Sequence, residues 1–490
     1  MKAKKCSIGW ASIDITPDRP VFVAGQMYPR ISTVVLEPLT ATAVVFEQEG
    51  EQFTLLSADV VNFNVDVIRR VRDKLAGVQG LDPMRVAFCA THTHNSMRCA
   101  QDPHLVNSRR FLGEDRGIPW NPPENILYGD EEAEFVAARL AVAIEEAWVS
   151  RRPGGIAFAD DYAAVGFNRR PIFRGEDGGE RSRMHGVCSQ PNFLRFEAAS
   201  DHLVAMFYTF DDSGALTGVG VNVNCPSQVF ELHTFLTSDF WADARACIRE
   251  RLGNIRILPM CGAAGDQDPS DLMRLGKYNE EAFQRWGGQT GEVLRNFDMS
   301  RECRKIGERI SEAVCRGYGF ARNHVLRQLD FRVERLDLSL PIRKVSREDV
   351  REAQKLMDQA SEAFPAGRPI TMEQYLQIYE PMGVLLRWER QNQNPDFEFE
   401  VFVARLANAV FATNPFELFS EYGIRIRARS AADYTFIVQL CNGAGGYLPT
   451  TAALSGGSYS SKPATTTLGP DGGDRLVEET LGAIGKMYQP

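Results

Sequence analysis

The order of strand and helix patterns in the first hundred residues constrains the fold most. Two apolar runs between positions 34 and 61 flank the polar stretch EQEGEQ, which is typical of a β-hairpin. Residues 65–75 then have helical spacing, and RVAFCATHTH at 85–94 returns to a strand pattern. A helix between two strands indicates parallel strand pairs, so we predict an α/β fold with mixed sheets.

The remaining sequence continues this mixture without an internal repeat or a clear interdomain linker. We therefore predict a single catalytic domain over residues 1–490. Further predicted elements are a helix at 131–149, a hairpin around DDSG at 211–214, a helix at 241–252, a helical insert near 271–320 and a helical segment near 347–390.

Composition excludes several function classes. Of 490 residues, 44% are hydrophobic and 24% are charged, as in globular proteins, and the formal charge of -9 argues against nucleic-acid binding. No segment approaches 18 uninterrupted apolar residues, the N-terminus lacks the apolar core of a signal peptide, and the ten cysteines include no CxxC pair. These features predict a cytoplasmic protein with reduced thiols, no membrane span and a small-molecule partner; they do not predict its oligomeric state.

Two of only seven histidines, His92 and His94, follow the apolar run VAFCA. If the strand remains extended, both rings share one face at its carboxyl end, where α/β proteins usually bind ligands. An HxH pair supplies two nitrogen donors of the kind that zinc accepts. From the pair alone, structural hydrogen bonding near a strand end remains equally open.

Several short motifs occur in an order that resembles a known family. They are IGWASIDITP, SADVV, ATHTH, GFNRR, GAAGDQDP, NPFELFSEYG and GYLPTTAALSGGSY. From about residue 8 to about residue 470, the chain thereby resembles the N-terminal catalytic domain of the neutral, non-lysosomal ceramidases. This resemblance implies an α/β zinc amidase in which mixed sheets lie between helical layers, an αββα-like architecture.

The resemblance also implies roles for individual residues. His92, Glu417 and Tyr447 fall on zinc ligands, and His94 falls on a histidine that contacts the reacting group. Tyr459 falls on a tyrosine that helps to stabilise the oxyanion. Arg169, in GFNRR, falls on a substrate-pocket arginine.

Two positions depart from the family pattern. Cys225 stands where the remaining zinc histidine is expected, and Gly262 stands where a nucleophilic serine has been proposed. A thiolate is a strong zinc ligand, and Cys225 would continue the face of the alternating Val219, Val221 and Val223. We also expect neither the secretion signal nor the C-terminal sandwich domain of ceramidases, which makes long-chain ceramide an unfavoured substrate.

The leading hypothesis is a zinc-dependent hydrolase with one Zn²⁺ per chain. The expected metal ligands are His92, Cys225, Glu417 and Tyr447. His94 would serve as general acid or base or as an oxyanion partner, Tyr459 as oxyanion donor, Arg169 as a contact for a polar or anionic group, and Asp266 as a residue that orients a ligand. The expected substrate is a small polar amide, ester or lactone.

Two alternatives remain open on the sequence. In the first, Cys225 is a nucleophile activated by a histidine, and no metal is needed. In the second, the protein binds a metal or ligand without turnover. Each candidate also has a structural interpretation: Glu417 near a helix start, Tyr447 packed in a loop, Cys225 as a small buried residue, and Asp266 in a turn. Glu231 and His233 can be read as parts of a solvated loop.

Overall fold

The computed structural model describes residues 5–274, 300–364 and 367–489. The strands, in chain order, are β1 (Ser7–Asp14), β2 (Thr40–Gln48), β3 (Glu51–Ala58), β4 (Val86–Ala90), β5 (Arg152–Tyr162), β6 (Phe167–Asn168), β7 (Pro171–Arg174), β8 (Glu180–Ser182), β9 (Phe193–Phe196), β10 (Leu203–Asp211), β11 (Leu216–Val223), β12 (Arg256–Cys261), β13 (Gln267–Asp268), β14 (Phe331–Pro341), β15 (Asp396–Leu406), β16 (Ala409–Thr413), β17 (Glu417–Leu418), β18 (Tyr434–Val438) and β19 (Tyr447–Leu448).

Most of the helices cover the outer faces of the sheets, and three others share a separate apolar cluster. The α-helices, in chain order, are α1 (Val65–Leu75), α2 (Pro103–Leu112), α3 (Asp130–Ser150), α4 (Phe240–Leu252), α5 (Ser300–Ala321), α6 (Arg347–Ala363), α7 (Met372–Gln393), α8 (Ser420–Arg429), α9 (Thr451–Gly456) and α10 (Pro470–Met487). Among the described residues, no helix combines the length and the apolar character needed to cross a bilayer.

The larger sheet has eight strands in the order β12-β11-β10-β5-β1-β2-β3-β4. Its strands are apolar on both faces because each face packs against a separate core. In β2, for example, Ala43 and Val45 pack towards α3, whereas Val44 and Phe46 pack towards the second sheet. This explains why TATAVVF reads as an almost continuous apolar run.

The second sheet has four strands in the order β14-β15-β16-β18, and it lies across the larger sheet. Helices α1, α3, α4 and α5 pack on the far face of the larger sheet, and α8 and α10 pack on the far face of the smaller one. The result is two mixed sheets between helical layers, so the predicted αββα-like α/β architecture is confirmed.

Most predicted elements agree with the structure. The helix at 65–75 is α1, and Asn64 caps it by accepting a hydrogen bond from the Asp66 backbone N–H. The segment at 347–390 is two helices, α6 and α7. Of the insert near 271–320, residues 275–299 lie outside the described residues, and the remainder includes α5. The single domain over 1–490 stays a prediction.

Candidate active site

A cavity of about 290 Å³ lies near the carboxyl ends of strands in both sheets. Three parallel pairs, β3/β4, β11/β12 and β16/β18, run towards the loops around it. Open α/β sheets place ligands at such carboxyl ends. The cavity is lined by Gly25, Gln26, Met27, Val61, Asn62, His92, His94, Arg98, His104, Arg169, Met184, His185, Glu231, Glu417, Tyr447 and Tyr459.

The backbone fixes the direction of the His92 ring. Strand β4 ends at Ala90, and His92 has a φ of 62°, so the prediction that the strand stays extended through His92 is wrong. The ring is oriented instead by its Nδ1, which lies 2.6 Å from the Val61 carbonyl oxygen and donates to it. A neutral ring bound in this way turns the lone pair of Nε2 towards the cavity, as histidine ligands of metals do.

Two very short strands bring Glu417 and Tyr447 together. Glu417 in β17 pairs with Tyr447 in β19 in parallel register, and the Glu417 N–H donates to the Gly446 carbonyl at 2.9 Å. The Glu417 Oε2 lies 3.5 Å from the His92 Nε2. The His92 ring, the Glu417 carboxylate and the Tyr447 phenol therefore meet in one cavity.

Arg169 and Tyr459 complete this wall. The Arg169 Nη2 donates to the Tyr447 hydroxyl at 3.0 Å and to the Gly265 carbonyl at 3.0 Å. The Tyr459 ring packs edge-on against the Tyr447 ring, with centroids 5.8 Å apart. The Tyr447 hydroxyl thus accepts from Arg169 while it hydrogen-bonds the Glu417 carboxylate.

His94 lies between His92 and a carboxylate that the sequence interpretation left as a solvated loop residue. The Nε2 atoms of His94 and His92 are 3.3 Å apart, and the His94 Nδ1 lies 3.3 Å from the Glu231 Oε2. The second contact is an ion-pair distance without hydrogen-bond alignment. Glu231 is only 9% exposed, and Arg30 ties its loop to the cavity by donating to the backbone carbonyls of Glu231 and His94 at 2.7 and 2.8 Å.

Burial and charge set the ionisation of this group. Burial alone raises the pKa of Glu417, but its hydrogen bond to His92 and the charges of His92 and Arg169 lower that pKa overall. Burial, followed by the charges of His92 and Arg30, lowers the pKa of His94 well below its ordinary value. The site therefore holds an ionised carboxylate beside a neutral His94.

The side chains available as metal ligands determine whether a zinc ion fits this cavity. In the described chain, no three His, Cys, Asp or Glu side chains form a metal-binding group. A metal would therefore need the Tyr447 phenol as its third protein donor beside His92 and Glu417. The geometry is compatible with this set, because the His92 Nε2 lies 3.5 Å from a Glu417 carboxylate oxygen, and a metal ion bound by both atoms would take the place of a proton shared between them.

Cys225 does not join the other predicted metal ligands at the cavity. It follows β11, is fully buried in the core cluster that contains Val221 and Val223, and is absent from the described residues that line the cavity. Its Sγ contacts the backbone carbonyls of Val165 and Pro226. A cysteine side chain reaches less far from the backbone than a histidine, which explains why this position falls short of the cavity. The sequence-based assignment of Cys225 as a metal ligand stays a prediction, and the ligand set proposed below does not include it.

We expect Cys225 to resist alkylation in the folded protein. Burial, followed by the charge of Asp268, raises the pKa of its thiol well above the ordinary value, so the reactive thiolate is disfavoured. Mass spectrometry after iodoacetamide treatment should find Cys225 unmodified in native protein and modified after denaturation. Rapid native modification with loss of activity would instead support the cysteine-nucleophile alternative.

The structure also shows what surrounds Asp266 and Gly262, two further positions that the sequence interpretation considered. The Asp266 carboxylate accepts from the Ser420 N–H and from the Asn168 side chain, at 2.8 and 3.0 Å. The carboxylate therefore acts on Glu417 and Arg169 through their chain neighbours, and the Asp266 backbone carbonyl accepts directly from the Arg169 N–H at 2.9 Å. A Cβ at Gly262 would lie 2.1 Å from the Asn224 Oδ1, so a serine side chain does not fit there without rearrangement.

The sequence interpretation missed a third histidine–carboxylate pair at the cavity, beside His92–Glu417 and His94–Glu231. His185 lines the cavity, and its Nε2 lies 3.2 Å from the Oδ2 of the fully buried Asp268. His185 follows no strand pattern and no motif singles it out. Asp268 belongs to GAAGDQDP, where a turn was the competing interpretation, so only the three-dimensional arrangement identifies the pair.

Fold and cavity together define the class: an αββα protein with an imidazole–carboxylate–phenol site at strand ends. The fold is that of the neutral ceramidases, which confirms the predicted resemblance at the level of the fold. Neutral ceramidase from Pseudomonas aeruginosa aligns with a TM-score of 0.66 and 16% identity over 99% of this chain and 76% of that chain. A structure described as ceramidase complexed with C2 aligns with a TM-score of 0.63 and 14% identity, over 98% and 74%. No protein-family model and no curated protein sequence matches the chain.

Proposed function

We propose that the protein is a zinc-dependent hydrolase that cleaves an amide or related acyl bond of a small polar substrate. One observation carries the proposal: the His92 Nε2 faces the Glu417 carboxylate in a cavity that Tyr447 also lines. The fold supports it, because two solved structures with this fold are named as ceramidases, enzymes that cleave an amide.

In this proposal, His92, Glu417 and Tyr447 hold the metal. A bound zinc ion polarises a carbonyl and makes water nucleophilic near neutral pH. Other side chains of the cavity then position the reacting groups and transfer protons. His94, neutral and 3.3 Å from His92, can accept a proton from the attacking water, and Tyr459 can donate to the developing oxyanion. Arg169 holds the Tyr447 hydroxyl and presents a cation at the same wall.

The cavity supports a small and polar substrate. Its volume of about 290 Å³ lies just below the usual range for small-molecule pockets, which begins at about 300 Å³. Among the described residues that line it, only Met27, Val61 and Met184 have aliphatic or thioether side chains. A long acyl chain would find little apolar surface there, so amides, esters or lactones of short acids are the proposed substrates.

The proposal predicts about one zinc per chain in purified wild-type protein. We expect elemental analysis to find this zinc, and chelation to remove it together with hydrolytic activity on short amides and esters, with recovery when zinc is added. His92→Ala should lose the zinc. Cys225→Ala should retain it, because Cys225 lies among apolar side chains and outside the cavity lining.

The outcomes separate the alternatives. Loss of zinc from Cys225→Ala would place the thiol in the coordination shell, as the resemblance to ceramidase motifs predicts. Wild-type protein that hydrolyses substrates without zinc and resists chelation would contradict the metal proposal. Stoichiometric zinc without turnover of any short amide or ester would favour the binding-protein alternative.

A further inference from the structure

The His185–Asp268 pair is built like a catalytic dyad although nothing in the proposed metal site uses it. The Asp268 carboxylate is fully buried and anchored from several sides. Its Oδ1 accepts from the Ser270 N–H at 2.8 Å, and its Oδ2 accepts from the Gln228 side chain and contacts the His185 Nε2. The Arg169 Nη1 lies 4.0 Å from the same Oδ2.

The backbone of His185 is also held in place. Its φ of 58° lies in the left-handed region, which is uncommon for a side chain of this size. The His185 N–H donates to the Arg169 carbonyl at 2.8 Å, and the preceding Met184 N–H donates to the Ser458 Oγ at 2.9 Å. These bonds tie His185 to the neighbours of Tyr447 and Tyr459. Unusual backbone conformations that the surroundings maintain are concentrated at functional sites.

Electrostatics agree with an oriented imidazole. Burial alone raises the pKa of Asp268, but the charge and hydrogen bond of His185 and the charge of Arg169 lower that pKa below its ordinary value. The carboxylate is therefore ionised, and it favours a proton on the His185 Nε2. A carboxylate behind a histidine fixes its tautomer and stabilises the imidazolium, as in hydrolytic triads.

We propose that His185, oriented by Asp268, is the general acid that protonates the leaving group in this cavity. The inference rests on the proposed hydrolase function and adds a proton donor to it. His94 lies beside His92, a proposed zinc ligand, with their Nε2 atoms 3.3 Å apart, and this position places it near the attacking water. His185 lies on a separate loop after β8 and supplies an imidazole that is independent of the His92–His94 pair.

Every bond and proton of the proposed step is accounted for. After water adds to the carbonyl carbon, the bond to the leaving nitrogen or oxygen breaks, and its electron pair remains on that atom. The leaving atom takes the proton from the Nδ1 of the His185 imidazolium. The imidazole ring thereby becomes neutral, and its Nε2–H remains hydrogen-bonded to the Asp268 carboxylate. The proton lost by the attacking water returns through solvent to His185, so one water is consumed for each acyl bond cleaved.

The test compares leaving groups of different basicity. An alkylamine or alkoxide needs a proton to depart, whereas p-nitrophenolate departs without one. Wild type and His185→Asn are assayed with N-ethylbutyramide, ethyl butyrate and p-nitrophenyl butyrate. Asparagine is chosen because it tolerates a positive φ better than other side chains of similar size. We expect kcat/KM to fall by roughly 10²–10⁴-fold for the amide and the alkyl ester, but by less than about tenfold for the p-nitrophenyl ester.

Two further variants sharpen the result. Asp268→Asn should show the same leaving-group dependence with a smaller loss, because the imidazole remains but is no longer oriented by a carboxylate. His324→Asn, at an exposed position beyond the end of α5, should match wild type on all three substrates. Zinc content and thermal unfolding confirm that each variant is folded and loaded.

Different failures have different meanings. Equal losses on all three substrates in a folded, zinc-loaded His185→Asn would give His185 a structural role and overturn the inference alone. Unchanged hydrolysis of the amide and the alkyl ester would overturn it as well. Wild-type protein that cleaves none of the three esters and amides would overturn the proposed function and the inference together.

Discussion

Glu417→Gln is expected to lower kcat/KM for short amides by on the order of 10³-fold and to reduce bound zinc to a small fraction of one per chain. The glutamine has nearly the same shape but lacks the charge that faces the His92 Nε2 at 3.5 Å. A metal contributes several kcal/mol of charge stabilisation, and about 1.4 kcal/mol corresponds to a factor of ten in rate. Elemental analysis and steady-state kinetics on the same preparations measure both effects.

The matched control is Glu421→Gln. Glu421 lies four residues further on, in the first turn of α8, and its side chain is exposed. This variant removes the same charge from the same segment and should retain zinc and activity. Glu417→Gln that keeps full zinc and wild-type kinetics would show that Glu417 does not bind the metal, and the proposed ligand set would then fail.

Periodicity predicted the elements that carry the site, but it could not predict the site's geometry. Helix α1 and the hairpin of β10 and β11 follow directly from repeating apolar spacing, because each element has a face to bury. In contrast, Glu417 and Tyr447 meet through strands of two residues, which are too short to have a period. Only their resemblance to ceramidase motifs placed these two residues in one site.

Three residues show why the remaining site could not be read from the sequence. His92 takes a left-handed backbone conformation, so its direction does not follow from strand alternation. Glu231 lies in a segment without regular secondary structure, and it reaches the cavity because Arg30, 201 residues earlier, binds its backbone carbonyl. His185 is likewise placed by hydrogen bonds between distant segments. Such contacts depend on the completed fold and leave no local signal.

Arg170→Ala is expected to lower the free energy of unfolding by about 3–5 kcal/mol. Arg170 is fully buried, and its Nε and Nη2 donate to the two carboxylate oxygens of Glu197 at 2.9 and 3.1 Å. Its Nη1 and Nη2 also donate to the Ser460 Oγ at 2.9 Å and the Gly457 carbonyl at 2.7 Å. Removing the guanidinium leaves the Glu197 carboxylate buried without its partner, and it releases the segment that carries Tyr459.

Urea unfolding separates this effect from that of an ordinary ion pair. Arg181→Ala breaks an exposed pair with Asp177 in the adjacent β7–β8 hairpin and should cost less than about 1 kcal/mol. Adding Glu197→Gln to Arg170→Ala should recover part of the stability, because the unpaired charge is then gone. The kcat of Arg170→Ala should fall even where the protein remains folded, because Tyr459 loses its support. A loss of stability no larger than that of Arg181→Ala would mean that this buried pair does not hold the Tyr459 segment in place.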